Sequence, residues 1–267
     1  MAVGVRIVQW DARTEDSWIN EIANSDVVIH LAGENLSGSG LFPSRWTKQR
    51  KERLLHSRVD SGKVLTQAIE KVNRKPKLFI QASGVGIYGT DRESIFTEES
   101  MLGNDFLANL SKEWETSSES VKTLGIRHIV IRSGVVLSSK GGALRPLIFP
   151  YKFYIGGPIG DGKQVYSWIH IDDEVEAIKF LIEHDSLNGI FNLSSPYPVT
   201  NSDFGKTISM IMKRPHFFPI PSYIMRIAFG EVANMVLEGQ RVLPEKLLDN
   251  GYIFKYPKLD EALRNLL

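Results

Sequence analysis

The stretch Asp26-Val-Val-Ile-His-Leu-Ala32 is apolar almost without a break and runs straight into Gly33. A strand with one face in water alternates polar and apolar residues, whereas a strand covered on both faces does not. The stretch therefore predicts a buried parallel strand, and parallel strands need long crossover connections. Two more segments repeat the pattern: Lys77-Leu-Phe-Ile-Gln-Ala-Ser83, after Pro76, and Arg127-His-Ile-Val-Ile-Arg132. Between them the chain reads as helix over 45–72 and 105–123. Nearer the start, Val5-Arg-Ile-Val-Gln-Trp10 reads as strand and 14–24 as a short helix capped by Thr14.

After about residue 140 the character changes. Gly141-Gly142 and Gly156-Gly-Pro-Ile-Gly-Asp-Gly162 flank a helix over 144–153. A strand over 165–171, a helix over 172–184 capped by Asp172 and Asp173, and a strand over 189–193 follow. From Pro196 onward the chain is helical and punctuated by proline. The expected fold is α/β, a doubly wound parallel, Rossmann-like sheet over 1–196 with a small, mostly helical substrate-side lobe over 197–267.

The 267 residues are 42% hydrophobic and 24% charged, ordinary for a globular chain and unlike a disordered one. A net charge of +1 supplies no global field towards nucleic acid or anionic lipid. The basic helix over 45–72 lacks interleaved stacking aromatics apart from Trp46, so no nucleic-acid partner is expected. Cysteine is absent, which removes disulfides, thiolate metal sites and cysteine nucleophiles, and no metal site is expected. Neither a membrane-spanning run nor a signal peptide is legible. These features favour an intracellular location, either cytoplasm or an organelle matrix such as that of a mitochondrion or plastid. Oligomeric state is not legible.

A literal G-x-G-x-x-G occurs at Gly84-Val-Gly86-Ile-Tyr-Gly89, after a strand. A dinucleotide fingerprint also needs its last glycine to open a helix whose amides hold the pyrophosphate. Gly89 instead leads into the loop-like Thr-Asp-Arg-Glu-Ser-Ile-Phe-Thr-Glu-Glu-Ser100. The motif is therefore read as a decoy.

His30-Leu-Ala-Gly-Glu-Asn-Leu36, Arg45-Trp46-Thr47, Ser57-Arg58, Arg132-Ser-Gly-Val-Val-Leu137, Gly141-Gly142, Gly156-Gly157-Pro158 and Trp168-Ile169-His170 occur in that order. The ordered set resembles the atypical extended short-chain dehydrogenase/reductases of the epimerase-like family 39U. Glu238-Gly-Gln-Arg-Val-Leu-Pro244 resembles that family's small C-terminal domain. Members begin with a strand, a Gly-rich phosphate loop, a helix and a second strand before the part that matches here. The resemblance therefore implies a chain lacking roughly forty residues of that unit, with a weakened cofactor site.

By the same resemblance, Leu31 and Ala32 offer backbone groups near the adenine-side ribose. Arg58, with Arg53, faces the pyrophosphate, and Val136 offers backbone contacts to the nicotinamide carboxamide. The competing reading of the two arginines is a solvated charged face shared with Arg45, Lys48, Arg50 and Lys51. Relatives use a tyrosine with a lysine four residues on, yet no Tyr-x-x-x-Lys occurs in this chain. Ser83 and Tyr88, at a strand end, and His170 are the substitute catalytic candidates. A histidine titrates near neutrality, but a buried, hydrogen-bonded histidine explains His170 equally. Trp168, Gln164 and Arg145 are candidates for the pocket wall, with Trp168 otherwise core.

The implied function is that of an NADP-dependent oxidoreductase or epimerase acting on a small molecule of unknown identity, with NADPH as cofactor. The alternatives are a regulator that holds NADPH without turnover, and an interaction domain that binds no nucleotide.

Overall fold

The computed structural model describes residues 4–14, 18–38, 40 and 42–267. At its centre four parallel strands lie in the order Val27–His30, Leu78–Gly84, Arg127–Ser133, Gly189–Leu193. The register sets His30 opposite Gln81, Ser83 opposite Arg132, and Arg132 opposite Asn192. Successive residues of a strand face opposite sides. Phe79 accordingly packs with Val64, Leu65 and Ile69 of the helix Lys48–Lys71. Leu78 and Ile80 pack with Ala177 and Leu181 of the helix Ile171–Glu183 on the other side. Helices lie on both faces, the doubly wound α/β architecture that was expected, but Val27–His30 is not the fully buried strand its apolar run predicts. It is an edge strand with Val27 and Val28 half-buried and Ile29 exposed.

The long helix begins after Thr47, whose hydroxyl accepts from the Arg50 N–H at 3.2 Å. Asp105 caps the helix Phe106–Thr116 in the same way, accepting from Ala108 N at 2.9 Å. The segment from residue 197 onward forms the helices Asn201–Met212, Ser222–Phe229, Glu245–Asp249 and Leu259–Leu266, with shorter turns. Leu247, Tyr252 and Phe254 join the core beneath the sheet, and Phe204, Leu259 and Leu263 pack against Leu144 and Trp168. Among the described residues, no helix is long and apolar enough to cross a membrane.

Several local expectations are corrected. Val5 to Trp10 is not a strand: the segment is irregular, with Val5 and Ile7 exposed. Alternation alone does not make a strand without a neighbour to complete the ladder. The first helix is only Ile19–Ala23, and the Thr14 hydroxyl donates to Asp11 at 2.7 Å instead of capping it. Residues 15–17 of that expected helix lie outside the described residues. The helix expected over 105–123 stops at Thr116 and resumes as the 3-10 turn Glu119–Leu124. The strand expected over 165–171 is broken into Val165–Tyr166 and Trp168–His170. At the break, the Ser167 hydroxyl donates to the Gln240 carbonyl at 2.8 Å.

Candidate functional site

Open parallel sheets bind ligands beyond the carboxyl ends of their strands. At the end of Val27–His30 the chain passes through exposed Leu31, half-buried Ala32 and Gly33. Arg58 reaches this turn from the long helix and is buried. Its guanidinium lies 4.9 Å from the centre of the Trp114 ring, and its Nη1 donates to the Leu54 carbonyl at 3.1 Å. Among the described residues no carboxylate comes within ion-pair distance of it. Burial pushes its pKa down to about 10, against the pull of Glu34. Glu34 itself sits 3.6 Å from both Arg50 and Arg53. Arg53 is thus half-exposed beside a carboxylate, while Arg58 is a buried cation with donors to spare.

Ser83 lies at the carboxyl end of the next strand, buried, and its hydroxyl has no hydrogen-bond partner. The Trp114 indole N–H is likewise buried and unpartnered. Buried polar groups are nearly always paired, so the orphaned Ser83 at a strand end, and Trp114 on the helix Phe106–Thr116, need a reason. The arrangement fits part of a dinucleotide: a guanidinium suits phosphate oxygens, and the orphaned serine supplies a further donor or acceptor.

Tyr88 is drawn away from that opening. Its phenol donates to Asn192 Oδ1 at 2.7 Å and accepts from Arg132 Nη1 at 3.0 Å. Arg132 also forms a bidentate pair with Glu115, both contacts at 2.9 Å. Burial raises the Tyr88 pKa, with Arg132 opposing it. His170 is buried as well. Its Nδ1 accepts from the Asp172 N–H at 3.0 Å, which makes it the cap of the helix Ile171–Glu183. This corrects the expectation that Asp172 and Asp173 cap that helix. The Nε2 of His170 meets Asn265 Oδ1 at 3.1 Å, and its ring lies 4.1 Å from that of Tyr256. Both ring nitrogens are engaged. Val136 pairs with Ile169 in a short parallel ladder, and its side chain packs against the core. The structure thus gathers Leu31, Ala32 and Arg58 at one strand end, with Ser83 on the adjacent strand. It leaves Tyr88 and His170 inside hydrogen-bonded packing.

Gly84-x-Gly86-x-x-Gly89 forms the single 3-10 turn Val85–Tyr88, with no helix opening at Gly89. The pocket-wall candidates are not in a wall. Trp168 is fully buried, donating to the Tyr197 carbonyl at 3.2 Å, and Arg145 is exposed. Gln164 is fully buried, and its amide joins the carbonyls of Ile159 and Val236.

Two features escaped the sequence. One is Glu174, a buried carboxyl whose Oε1 lies 2.6 Å from the Ser133 hydroxyl and whose Oε2 has no partner. Burial raises its pKa to about 7. The other is a cavity of about 300 Å³ beyond the strand ends, walled by Phe42, Val135, Ala143, Met225 and Phe229 among others. No motif marks it, because its walls come from four separate stretches of chain. A broader recess of about 520 Å³ lies between the helices Lys48–Lys71 and Phe106–Thr116 and carries Lys48, Lys51, Glu52 and Glu113.

A doubly wound parallel sheet with a buried cation beside its strand ends has the architecture of the Rossmann-like proteins. Residues 2–112 match the NAD dependent epimerase/dehydratase family, and residues 220–266 match a domain of unknown function, DUF1731. The chain is 40% identical over 248 residues to the epimerase family protein YfhF of Bacillus subtilis (strain 168), spanning 92% of this chain and 80% of YfhF. Its fold matches that of human epimerase family protein SDR39U1, isoform 2, solved with NADPH. That match has a TM-score of 0.84 and 33% identity, over 93% of this chain and 85% of that one. A nucleoside-diphosphate sugar epimerase from Corynebacterium glutamicum matches with a TM-score of 0.77 and 30% identity, over 97% of this chain and 49% of that one. The chain belongs to the NAD-dependent epimerase/dehydratase family. YfhF is bacterial and lends no support to a mitochondrial or plastid location.

Proposed function

We propose that this chain is an NADP(H)-dependent oxidoreductase or epimerase-like enzyme acting on a small molecule, with no nucleic-acid or membrane partner. The observation that carries this reading is Arg58, a buried guanidinium at a strand end with no carboxylate partner. An uncompensated buried cation is costly unless an anion completes it. The presence of NADPH in the related human structure supports the choice of cofactor. When bound, that cofactor supplies a hydride from its nicotinamide ring. Arg58 then holds a phosphate, the backbone at Leu31 and Ala32 borders the adenosine half, and Val136 lies towards the nicotinamide. The unpartnered Ser83 hydroxyl is a group available to orient a substrate oxygen by a hydrogen bond.

A second reading has its own observation: Tyr88 and His170 are both fully engaged, and no Tyr-x-x-x-Lys exists. On that reading the chain holds NADPH without turnover. Fluorescence titration with NADPH, and with NADH for comparison, tests the shared part. Wild-type chain is expected to bind NADPH in preference to NADH, and Arg58→Ala to weaken it about tenfold, since a charge-assisted contact is worth roughly 1.5–3 kcal/mol. A folded chain that ignores NADPH, or an unchanged Arg58→Ala affinity, overturns the assignment. Turnover with a carbonyl panel separates enzyme from regulator.

A further inference from the structure

We infer that the cavity beyond the strand ends binds an uncharged, largely hydrocarbon molecule rather than a nucleotide sugar. In calling that molecule the substrate, the inference rests on the oxidoreductase reading above; the binding itself does not.

Among the described residues the lining carries no charged side chain, so nothing there could neutralise a diphosphate. Of the described residues in the wall, only Ser37 and Tyr166 bear a side-chain hydroxyl. Tyr166 is already engaged: it donates to the Val236 carbonyl at 2.9 Å and accepts from Asn201 at 3.0 Å. Two backbone carbonyls of the wall are taken as well. Gln164 occupies the Ile159 and Val236 carbonyls at 3.0 and 2.8 Å from behind the wall. A sugar ring placed here would bury several hydroxyls with a single side-chain partner among them, and each unpaired hydroxyl weakens binding roughly tenfold or more.

The space is a half-open recess rather than a flat apolar face. Phe42, itself 62% exposed, forms one edge of it, with its ring 6.2 Å from Phe149 and 6.5 Å from Phe229. Arg45 fastens the same loop to the Ser222–Phe229 helix by donating to the Ile227 and Ala228 carbonyls. An apolar cavity of about 150 Å³ accommodates benzene, so 300 Å³ has room for about a dozen non-hydrogen atoms. Its position also fits a reacting molecule. Val135 forms part of the wall and follows the Arg127–Ser133 strand, next to Val136.

Calorimetric titration of the full chain with 2-acetylnaphthalene, a neutral aryl ketone, and with UDP-glucose tests the inference. Ala143→Phe and Met225→Trp fill the cavity from two sides, and thermal melting identifies which variants fold. The expected result is saturable one-to-one binding of the ketone, weakened at least tenfold in a folded filling variant with NADPH affinity unchanged, and no binding of UDP-glucose. Absence of ketone binding, ketone affinity unchanged in the folded variants, or UDP-glucose binding that those variants abolish, overturns it. Ketone binding without NADPH binding overturns the oxidoreductase reading and upholds the cavity assignment.

Discussion

A side chain on Gly33 would place its Cβ 3.0 Å from the Cζ of Arg58, so the turn after the first strand and the buried guanidinium are packed as one unit. A Cβ at position 33 requires the Arg58 side chain to give by a few tenths of an ångström, and the γ-carbons of a valine crowd it further. Gly33→Val is therefore expected to weaken NADPH binding several-fold, approaching the Arg58→Ala effect. Tested together, the two substitutions should not add, because they disturb the same contact. Fluorescence titrations of both single variants and the double variant measure this, and full additivity would separate Gly33 from the Arg58 site.

Tyr88→Phe removes one hydroxyl that serves both Arg132 and Asn192. The buried groups left short of a partner should cost about 1–3 kcal/mol, lowering the melting temperature by a few degrees. NADPH affinity is expected to be unchanged. The opposite pattern, full stability with lost turnover, would return Tyr88 to the catalytic candidates.

Leu78–Gly84 and Arg127–Ser133 were legible because burial on both faces leaves a run of apolar residues that little else produces. Val27–His30 carries the same kind of run yet lies at the sheet edge with Ile29 exposed, so there the pattern gave the strand but not its burial. Val5 to Trp10 carries similar residues, but a strand also requires a paired neighbour, which local sequence does not report. Arg58 was nominated through family resemblance alone, and its stack on Trp114, contributed 56 positions later in the chain, was not legible. Tyr88 was expected at a strand end but closes the 3-10 turn beyond it, and its fate depends on Arg132 and Asn192, contributed by two other strands. The cap at residue 170 was misassigned for a related reason. Asp172 and Asp173 are ordinary capping residues, and only a distant demand on Asp173 shows why it is elsewhere.

That demand is the docking of the C-terminal segment. The buried Asp173 carboxylate accepts from the backbone N–H groups of Lys255 and Tyr256 at 2.7 and 2.8 Å. Asp173→Ala leaves both donors unsatisfied, at a cost of about 3 kcal/mol. Asp173→Asn keeps one acceptor and should lose less. Urea unfolding reads the stability loss, and limited proteolysis should show faster cleavage near Lys255 in the alanine variant. An alanine variant as stable and as protease-resistant as the parent would mean that the segment is held by Tyr252 and Phe254 alone.

Glu174 makes the stability of the fold depend on pH in a definite direction. Its pKa is about 7 in the folded chain, against an ordinary 4.5, because burial disfavours the carboxylate. Below pH 4.5 the group is protonated whether the chain is folded or not, and it contributes nothing. As pH rises from there to about 7, the unfolded chain releases the proton while the folded chain retains it, so stability falls and then levels off. The difference corresponds to roughly 3 kcal/mol. Glu174→Gln cannot ionise and can still accept from Ser133, so it should exceed the parent in stability at pH 8 by up to that amount. The advantage should vanish near pH 4.5. Urea midpoints of the two proteins across pH 4–8 give the comparison, and a difference that stays constant over that range would show that Glu174 does not titrate between the two states.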